Sequence, residues 1–152
     1  PIDLFGIPRV VSSLDDLQFI CQAYKSEFNG ITLCVGSLAS NLENDCDIIT
    51  KQMIDKINFI HLRNVTKDGQ DNSFVESGHL TGDVNMIRIL DLLTSVLGKG
   101  VEKKIPFRPD HGELLFDEVN KNPGYSLYGR FGGLCELRGV ISTLSQIKSL
   151  MQ

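Results

Sequence analysis

Arg108, Asp110 and His111 close a short apolar run, Ile105-Pro106-Phe107, and Tyr125 emerges just after Asn122-Pro123-Gly124. A carboxylate, an imidazole, a guanidinium and a phenol gathered in this way could bind an ion and move protons. Strand alternation puts Arg108 and Asp110 on one face and Ile105, Phe107 and Pro109 on the other. Two earlier apolar runs end in the same manner. In Ile31-Thr32-Leu33-Cys34-Val35, Cys34 lies opposite Ile31, Leu33 and Val35. In Ile57-Asn58-Phe59-Ile60-His61-Leu62-Arg63, Phe59, His61 and Arg63 lie opposite Ile60 and Leu62. Cys34, His61 and Asp110 thus offer a thiolate, an imidazole and a carboxylate at three strand ends, a mixed S/N/O set suited to a divalent metal. Singly, each has an ordinary explanation: a buried small thiol, a hydrogen-bonded strand histidine, a turn carboxylate. Their joint placement on the polar face is what favours a site.

The elements that must position these groups alternate between two periods. Ser13 can cap a helix with Asp15 and Asp16 in its first turn, and Leu14, Leu17, Ile20, Cys21, Tyr24 and Phe28 form its apolar stripe up to Asn29-Gly30. After the first strand a polar loop of Ser40, Asn41, Glu43 and Asn44 leads into a helix with Ile49 and Met53 inward. The second strand is followed by a polar segment from Val65 to Thr81, whose length and composition predict a lid that closes when substrate binds. His79, within it, reads as a solvated side chain that could close over a ligand. Asp83 caps a helix striped by Met86, Ile89, Leu90, Leu93 and Leu97 and ended by Gly98. The third strand follows, then a short helical run, the Asn122-Pro123-Gly124 turn, and a last helix through Leu134, Leu137, Ile141, Leu144, Ile147 and Met151. Gly129-Arg130-Phe131-Gly132-Gly133 reads as close packing rather than a phosphate cradle.

Strands alternating with helices predict right-handed βαβ units and an α/β fold with a parallel sheet, whose chemistry sits at the carboxyl ends of the strands. Apolar outer faces and a polar inner mouth fit a (β/α)8 TIM barrel. Three strands cannot close a barrel, which typically takes eight in about 250 residues. Residues 1–152 therefore read as one incomplete barrel segment, about three βα units with a leading helix, from the last third to half of the fold. Composition agrees: 152 residues with 41% hydrophobic content are soluble and globular in type. A net charge of −4 argues against a general nucleic-acid or anionic-membrane surface. No apolar run approaches the roughly 20 residues of a membrane span. Cys21, Cys34, Cys46 and Cys135 show no paired spacing, so a reducing cytoplasm is the expected compartment. Pro1 in place of Met suggests a processed chain or a piece of a longer one.

Arg108-Pro109-Asp110-His111-Gly112, followed by Asn122-Pro123-Gly124-Tyr125-Ser126 and Gly129-Arg130, resembles the C-terminal signature of the mannonate dehydratase family. The resemblance extends to Gly30 through Ser37, to Ile60 through Val65, and to Phe74-Val75-Glu76-Ser77-Gly78-His79 with Gly82-Asp83. It covers nearly the whole chain in one order. The family is longer, and its N-terminal half, with at least one further metal-binding histidine, has no counterpart here.

That resemblance implies a (β/α)8 enzyme that uses Mn2+, with Fe2+ or another divalent ion as alternatives, to dehydrate D-mannonate to 2-keto-3-deoxy-D-gluconate. It implies Cys34, His61 and Asp110 as metal ligands and His111 and Tyr125 as the groups that move protons, the acid and the base not yet told apart. Arg63, Arg108 and His79 would meet the sugar acid, a planar guanidinium suiting its carboxylate. The expected partners are this small substrate and the missing N-terminal barrel half, with homo-oligomers allowed and neither nucleic acid nor membrane required. Two rival readings remain open. One is a different divalent-metal barrel enzyme, a sugar isomerase or a hydrolase; the other is a non-catalytic fragment derived from such a barrel.

Overall fold

The computed structural model describes residues 5–7, 10–68, 73–97, 104–115, 122 and 124–151. The first helix, α1 (Leu14–Ala23), is capped as its sequence requires. Ser13 Oγ accepts from the Asp16 backbone N–H, and the Asp16 carboxylate accepts from the Ser13 N–H at 2.9 Å. The helix ends six residues earlier than the Asn29-Gly30 stop, and Asn29 itself supplies the reason. Its side-chain amide donates to the carbonyls of Ile20, Cys21 and Tyr24 at 3.1, 3.2 and 2.8 Å, satisfying the last turn and folding the chain back. Of the expected stripe only Leu17 and Cys21 are fully buried, whereas Tyr24 and Phe28 are exposed, Phe28 by 86%.

The strands β1 (Ile31–Cys34), β2 (Ile57–His61) and β5 (Phe107–Arg108) form one parallel sheet in the order β1-β2-β5. Between β1 and β2 the chain makes a short helix α2 (Val35–Ala39) that begins at Val35, the residue expected to end the first strand, then α3 (Cys46–Met53), capped by Asp45, and a 3-10 turn, Ile54–Lys56. A register shift between Ile31 and Thr32 skips Asn58. This bulge explains why Ile57 and Ile60, three apart, are both buried where strict alternation would separate them. Beyond it the register carries Cys34 beside His61 and His61 beside Arg108. Three chemically active strand ends therefore lie side by side.

The segment from Val65 to Thr81 is where the sequence reading most needs correction. Its described residues are not irregular. It holds an antiparallel ribbon, β3 (Val65–Asp68) with β4 (Ser73–Glu76), paired from Val65↔Glu76 to Asp68↔Ser73. Only Val65 of the ribbon is buried, so no apolar alternation announces it. Asp83 does not cap α4 (Met86–Leu97) but accepts from the Lys67 backbone N–H at 2.7 Å, tying the ribbon to the body. Asn85 takes the capping position, its side chain accepting from the Arg88 N–H at 3.0 Å. Gly98, the helical run after Leu115, and Pro123 lie outside the described residues. The closing helix α5 (Leu127–Leu150) begins at Ser126, whose hydroxyl accepts from the Gly129 N–H at 2.7 Å.

The core lies between the sheet and the helices: Leu33, Ile57, Ile60 and Leu62 meet Ile49 and Met53 of α3, Ile89, Leu90 and Leu93 of α4, and Leu137 of α5. Among the described residues no helix is long and apolar enough to cross a membrane.

Candidate metal centre

Cys34, His61 and Asp110 converge. One ligand atom from each lies within 4.8 Å of the others, although Asp110 stands 76 residues from Cys34. Two atoms bound at about 2.0–2.3 Å to one ion lie at most about 4.6 Å apart, so the trio falls within a few tenths of an ångström of sharing a cation. Parallel register delivers the first two. The third depends on a backbone turn, because Asp110 has φ 68°, a left-handed conformation that aspartate tolerates better than most side chains.

That turn divides the Asp110 carboxylate between two tasks. Oδ1 accepts from Arg108 Nη2 at 2.6 Å, while Oδ2 lies 3.4 Å from His61 Nδ1 and 3.9 Å from Cys34 Sγ. Arg108 thereby fixes the carboxylate from outside, as partners behind metal ligands do. Burial lowers the proton affinity of His61 below the usual histidine range, against the Asp110 charge that would raise it. A neutral imidazole with a free lone pair is the ligand form. Phe59 packs edge-on against the same ring at 5.4 Å. Ser37 Oγ lies 3.0 Å from Cys34 Sγ. The donor set, its spacing and its support fit a divalent cation.

His111 and Tyr125 adjoin this group. Their rings lie 4.7 Å apart at 48°, and His111 Nε2 is 3.9 Å from Asp110 Oδ2. The two loops are stitched together by the Gly112 N–H donating to Gly124 O at 3.1 Å, and the turn before Tyr125 closes with its N–H on Asn122 O at 3.0 Å. Gly124 has φ 80°, and a Cβ there would stand 2.8 Å from His111 Nδ1. Glycine is needed for both reasons.

The remaining expected groups are distributed differently. Arg63 is buried and its guanidinium is engaged by Glu76, Nε donating to Oε2 at 2.9 Å and Nη2 to Oε1. Arg108 is more than half exposed beside Asp110. His79, expected as a solvated side chain in a loop, is only 3% exposed. Its Nε2 lies 3.1 Å from Pro109 O, the residue before Asp110, and its ring rests where a Cβ on Gly133 would be. Loop composition cannot reveal this burial, because the partner glycine comes from α5.

Glu76 was missed. It joins Arg63 to His111, with Oε1 2.8 Å from His111 Nδ1. Burial alone would raise its pKa, but hydrogen bonds from Arg63 and His111 override that and hold it below the usual glutamate range. For Arg63, burial opposes the charge and the Glu76 bonds win, so its pKa is raised. The only sequence signal was its place in Phe74-Val75-Glu76-Ser77-Gly78-His79.

Residues 1–151 match the family model described as D-mannonate dehydratase (UxuA). "Mannonate dehydratase 2" of Agrobacterium fabrum (strain C58) is 47% identical over 152 residues, covering 96% of this chain and 38% of that protein. "Mannonate dehydratase" of Saccharophagus degradans (strain 2-40) is 43% identical over 157 residues, covering 97% and 39%. Among solved structures, the mannonate dehydratase from Streptococcus suis serotype 2 superposes with a TM-score of 0.86 at 34% identity, covering 98% of this chain and 42% of that one. The chain spans about two fifths of the length of the curated relatives it matches.

Proposed function

Since the chain belongs to the D-mannonate dehydratase family, we propose that it forms the C-terminal part of a manganese-using (β/α)8 enzyme that converts D-mannonate to 2-keto-3-deoxy-D-gluconate and water. Residues 1–152 act in it as a single domain segment, and the remaining βα units close the barrel. The observation that carries this reading is the meeting of Cys34, His61 and Asp110 at adjacent parallel strand ends, with His111 and Tyr125 beside them. The outer edges of β1 and β5, unpaired among the described strands, and the exposed apolar side chains Phe19, Phe28 and Phe131 are the surfaces that further barrel units would cover. Four free cysteines suit a reducing cytoplasm.

The reaction removes the proton from C2 and expels the 3-hydroxyl as water, and the resulting enol becomes the 2-keto acid. Cys34, His61 and Asp110 would hold the divalent ion, whose charge stabilises the negative charge that develops next to the substrate carboxylate. His111 and Tyr125 carry the two protons, one accepted from carbon and one given to the departing hydroxyl. Arg108 presents the most surface of the three residues expected to hold substrate and is the candidate partner of the sugar-acid carboxylate. Arg63 and His79 support the site from behind, the first through Glu76 and the second through the Pro109 carbonyl.

The test is turnover by a full-length enzyme that contains this chain. Mn2+-dependent release of 2-keto-3-deoxy-D-gluconate from D-mannonate, with aldoses and phosphodiesters untouched, is the expected result. Aldose isomerisation or phosphodiester cleavage without dehydration would replace this reading with the rival metal-enzyme one.

A further inference from the structure

Glu76 enters the site from outside the parallel sheet, at the end of β4, and the register of the ribbon sets it opposite Val65. Its carboxylate cannot swing freely. Arg63 grips both oxygens, Nε on Oε2 and Nη2 on Oε1, and Arg63 is in turn held by the Phe74 ring, 5.3 Å from its guanidinium carbon, and by Ser37 Oγ at 3.5 Å. The same Oε1 lies 2.8 Å from His111 Nδ1. Gly124 closes over this contact from the other side, where a Cβ would stand 2.8 Å from Nδ1 and 3.4 Å from Glu76 Cγ.

We propose that Glu76 is the positioning residue for His111: clamped by Arg63, it holds Nδ1 of the ring by a hydrogen bond and so turns Nε2 toward Asp110 of the candidate metal group. This rests on the reading of His111 as a proton-transfer group. The chemistry of the contact is directional. Glu76, held ionised by Arg63 and His111, is acceptor-only, so the shared hydrogen belongs to the ring. A neutral imidazole with Nδ1 protonated has its lone pair at Nε2, and Nε2 is the nitrogen on the side of Asp110 Oδ2, 3.9 Å away. Nε2 is thus the ring nitrogen through which His111 can exchange a proton at the site. When it holds one there, the imidazolium charge is offset by a carboxylate already in hydrogen-bond contact, with no rearrangement needed.

The alternative is that Glu76 only neutralises Arg63. Four measurements on the full-length enzyme separate the two: metal content, kcat, KM and the state of the His111 ring. Glu76→Gln keeps the shape but removes the acceptor-only character. We expect it to retain metal and a KM within about three-fold while kcat falls about 10²–10⁴-fold, the range for losing a proton-transfer group or its tautomer control. In the His111→Asn background the same substitution should change kcat less than about two-fold, because Glu76 acts through the ring. If Glu76→Gln does not fold, Glu76→Asp keeps the charge for Arg63 while drawing the carboxylate back from Nδ1, and the same pattern is expected. Nitrogen-15 shifts of the histidine rings in the metal-free enzyme should report His111 as Nδ1–H, a preference lost in the Glu76 variant.

Equal losses in both backgrounds, loss of metal with the substitution, or an Nε2–H ring in the unaltered enzyme would each overturn the proposal. Full turnover by His111→Asn would instead remove the reading beneath it. A large His111→Asn defect with a fully active Glu76→Gln enzyme would leave that reading standing and sink this one.

Discussion

The parallel strand ends and the β3–β4 ribbon both deliver charged groups to one place, but by opposite means. Cys34, His61 and Arg108 arrive in register because neighbouring strands of a parallel sheet finish on the same side. Glu76 arrives from a two-stranded ribbon that buries only Val65 and is tied to the body by hydrogen bonds, among them Asp83 with the Lys67 N–H and Val65 O and Arg63 with Glu76 itself. The sheet supplies the candidate ligands. The ribbon supplies the carboxylate that sets a neighbouring ring. Ligand placement should therefore depend on the core, and ring placement on a part of the fold that can be loosened separately.

The severest test removes the context of the sheet altogether. The 152-residue chain by itself has open β1 and β5 edges among its described strands and spans about two fifths of its curated relatives. We expect no mannonate dehydration from it, below about 10⁻³ of the full-length rate, with activity returning only when the rest of the barrel is supplied. Turnover by the purified chain alone would mean that the three strand ends suffice.

Next come the substitutions that divide ligands from proton carriers. Cys34→Ser and Asp110→Asn in the full-length enzyme should lose metal, by more than the 10–100-fold typical of changes behind a ligand, and turnover with it. His111→Asn and Tyr125→Phe should keep metal near the unaltered content and lose about 10²–10⁴-fold in rate. Elemental analysis beside kinetics decides the matter. An empty site in His111→Asn, or normal turnover by Tyr125→Phe, would break the division.

The same contrast explains what could be read from the sequence. Short apolar runs ending in Cys34, His61 and Asp110 reveal strands, their order and their active ends, because buried parallel strands are fixed by side-chain pattern. The bulge at Asn58 was hidden, since it alters register without altering composition. The ribbon was hidden for a different reason: Thr66, Lys67 and Asp68 carry polar side chains on both faces and look like loop. His79 and the end of α1 were misread because their partners, Gly133 and the Asn29 amide, act across the fold or back along it. Glu76 could be quoted in a motif but not placed, since its role depends on that ribbon.

A pH test probes the rear of the strand-end region. Cys46 Sγ contacts Val35 O at 3.8 Å just past β1, and burial pushes its pKa from 9.0 up to about 11. A folded pKa above the unfolded one gives stability that is fully present below about pH 9 and is lost as the pH rises through about 11. Cys46→Ala should flatten the alkaline fall of the melting temperature over that window. At pH 8 only about one Cys46 in a thousand is thiolate by this value, so alkylation should be far slower in the folded protein than in urea. Comparable rates in the two states would show that the packing behind β1 is open.

The smallest effect belongs to the ribbon's anchor. Asp83 accepts from the Lys67 N–H at 2.7 Å while its own N–H donates to Val65 O at 2.9 Å, so one residue fastens β3 by both backbone and side chain. Asp83→Ala deletes only the side-chain half. A hydrogen bond to a charged acceptor at an exposed position is worth about 1 kcal/mol, since water competes for both partners. The expected global loss is of that size, a few degrees at most in melting temperature. The local consequence should be clearer. Hydrogen exchange at Lys67 and Thr66 should quicken about five-fold, the factor that 1 kcal/mol allows, with amides of β1 and β2 unchanged. Metal affinity should stay within two-fold because Cys34 and His61 are held by the sheet and Asp110 by the turn after β5 and its Arg108 contact. If metal affinity falls in step with ribbon exchange, the two regions are one cooperative unit and the separation between them is lost.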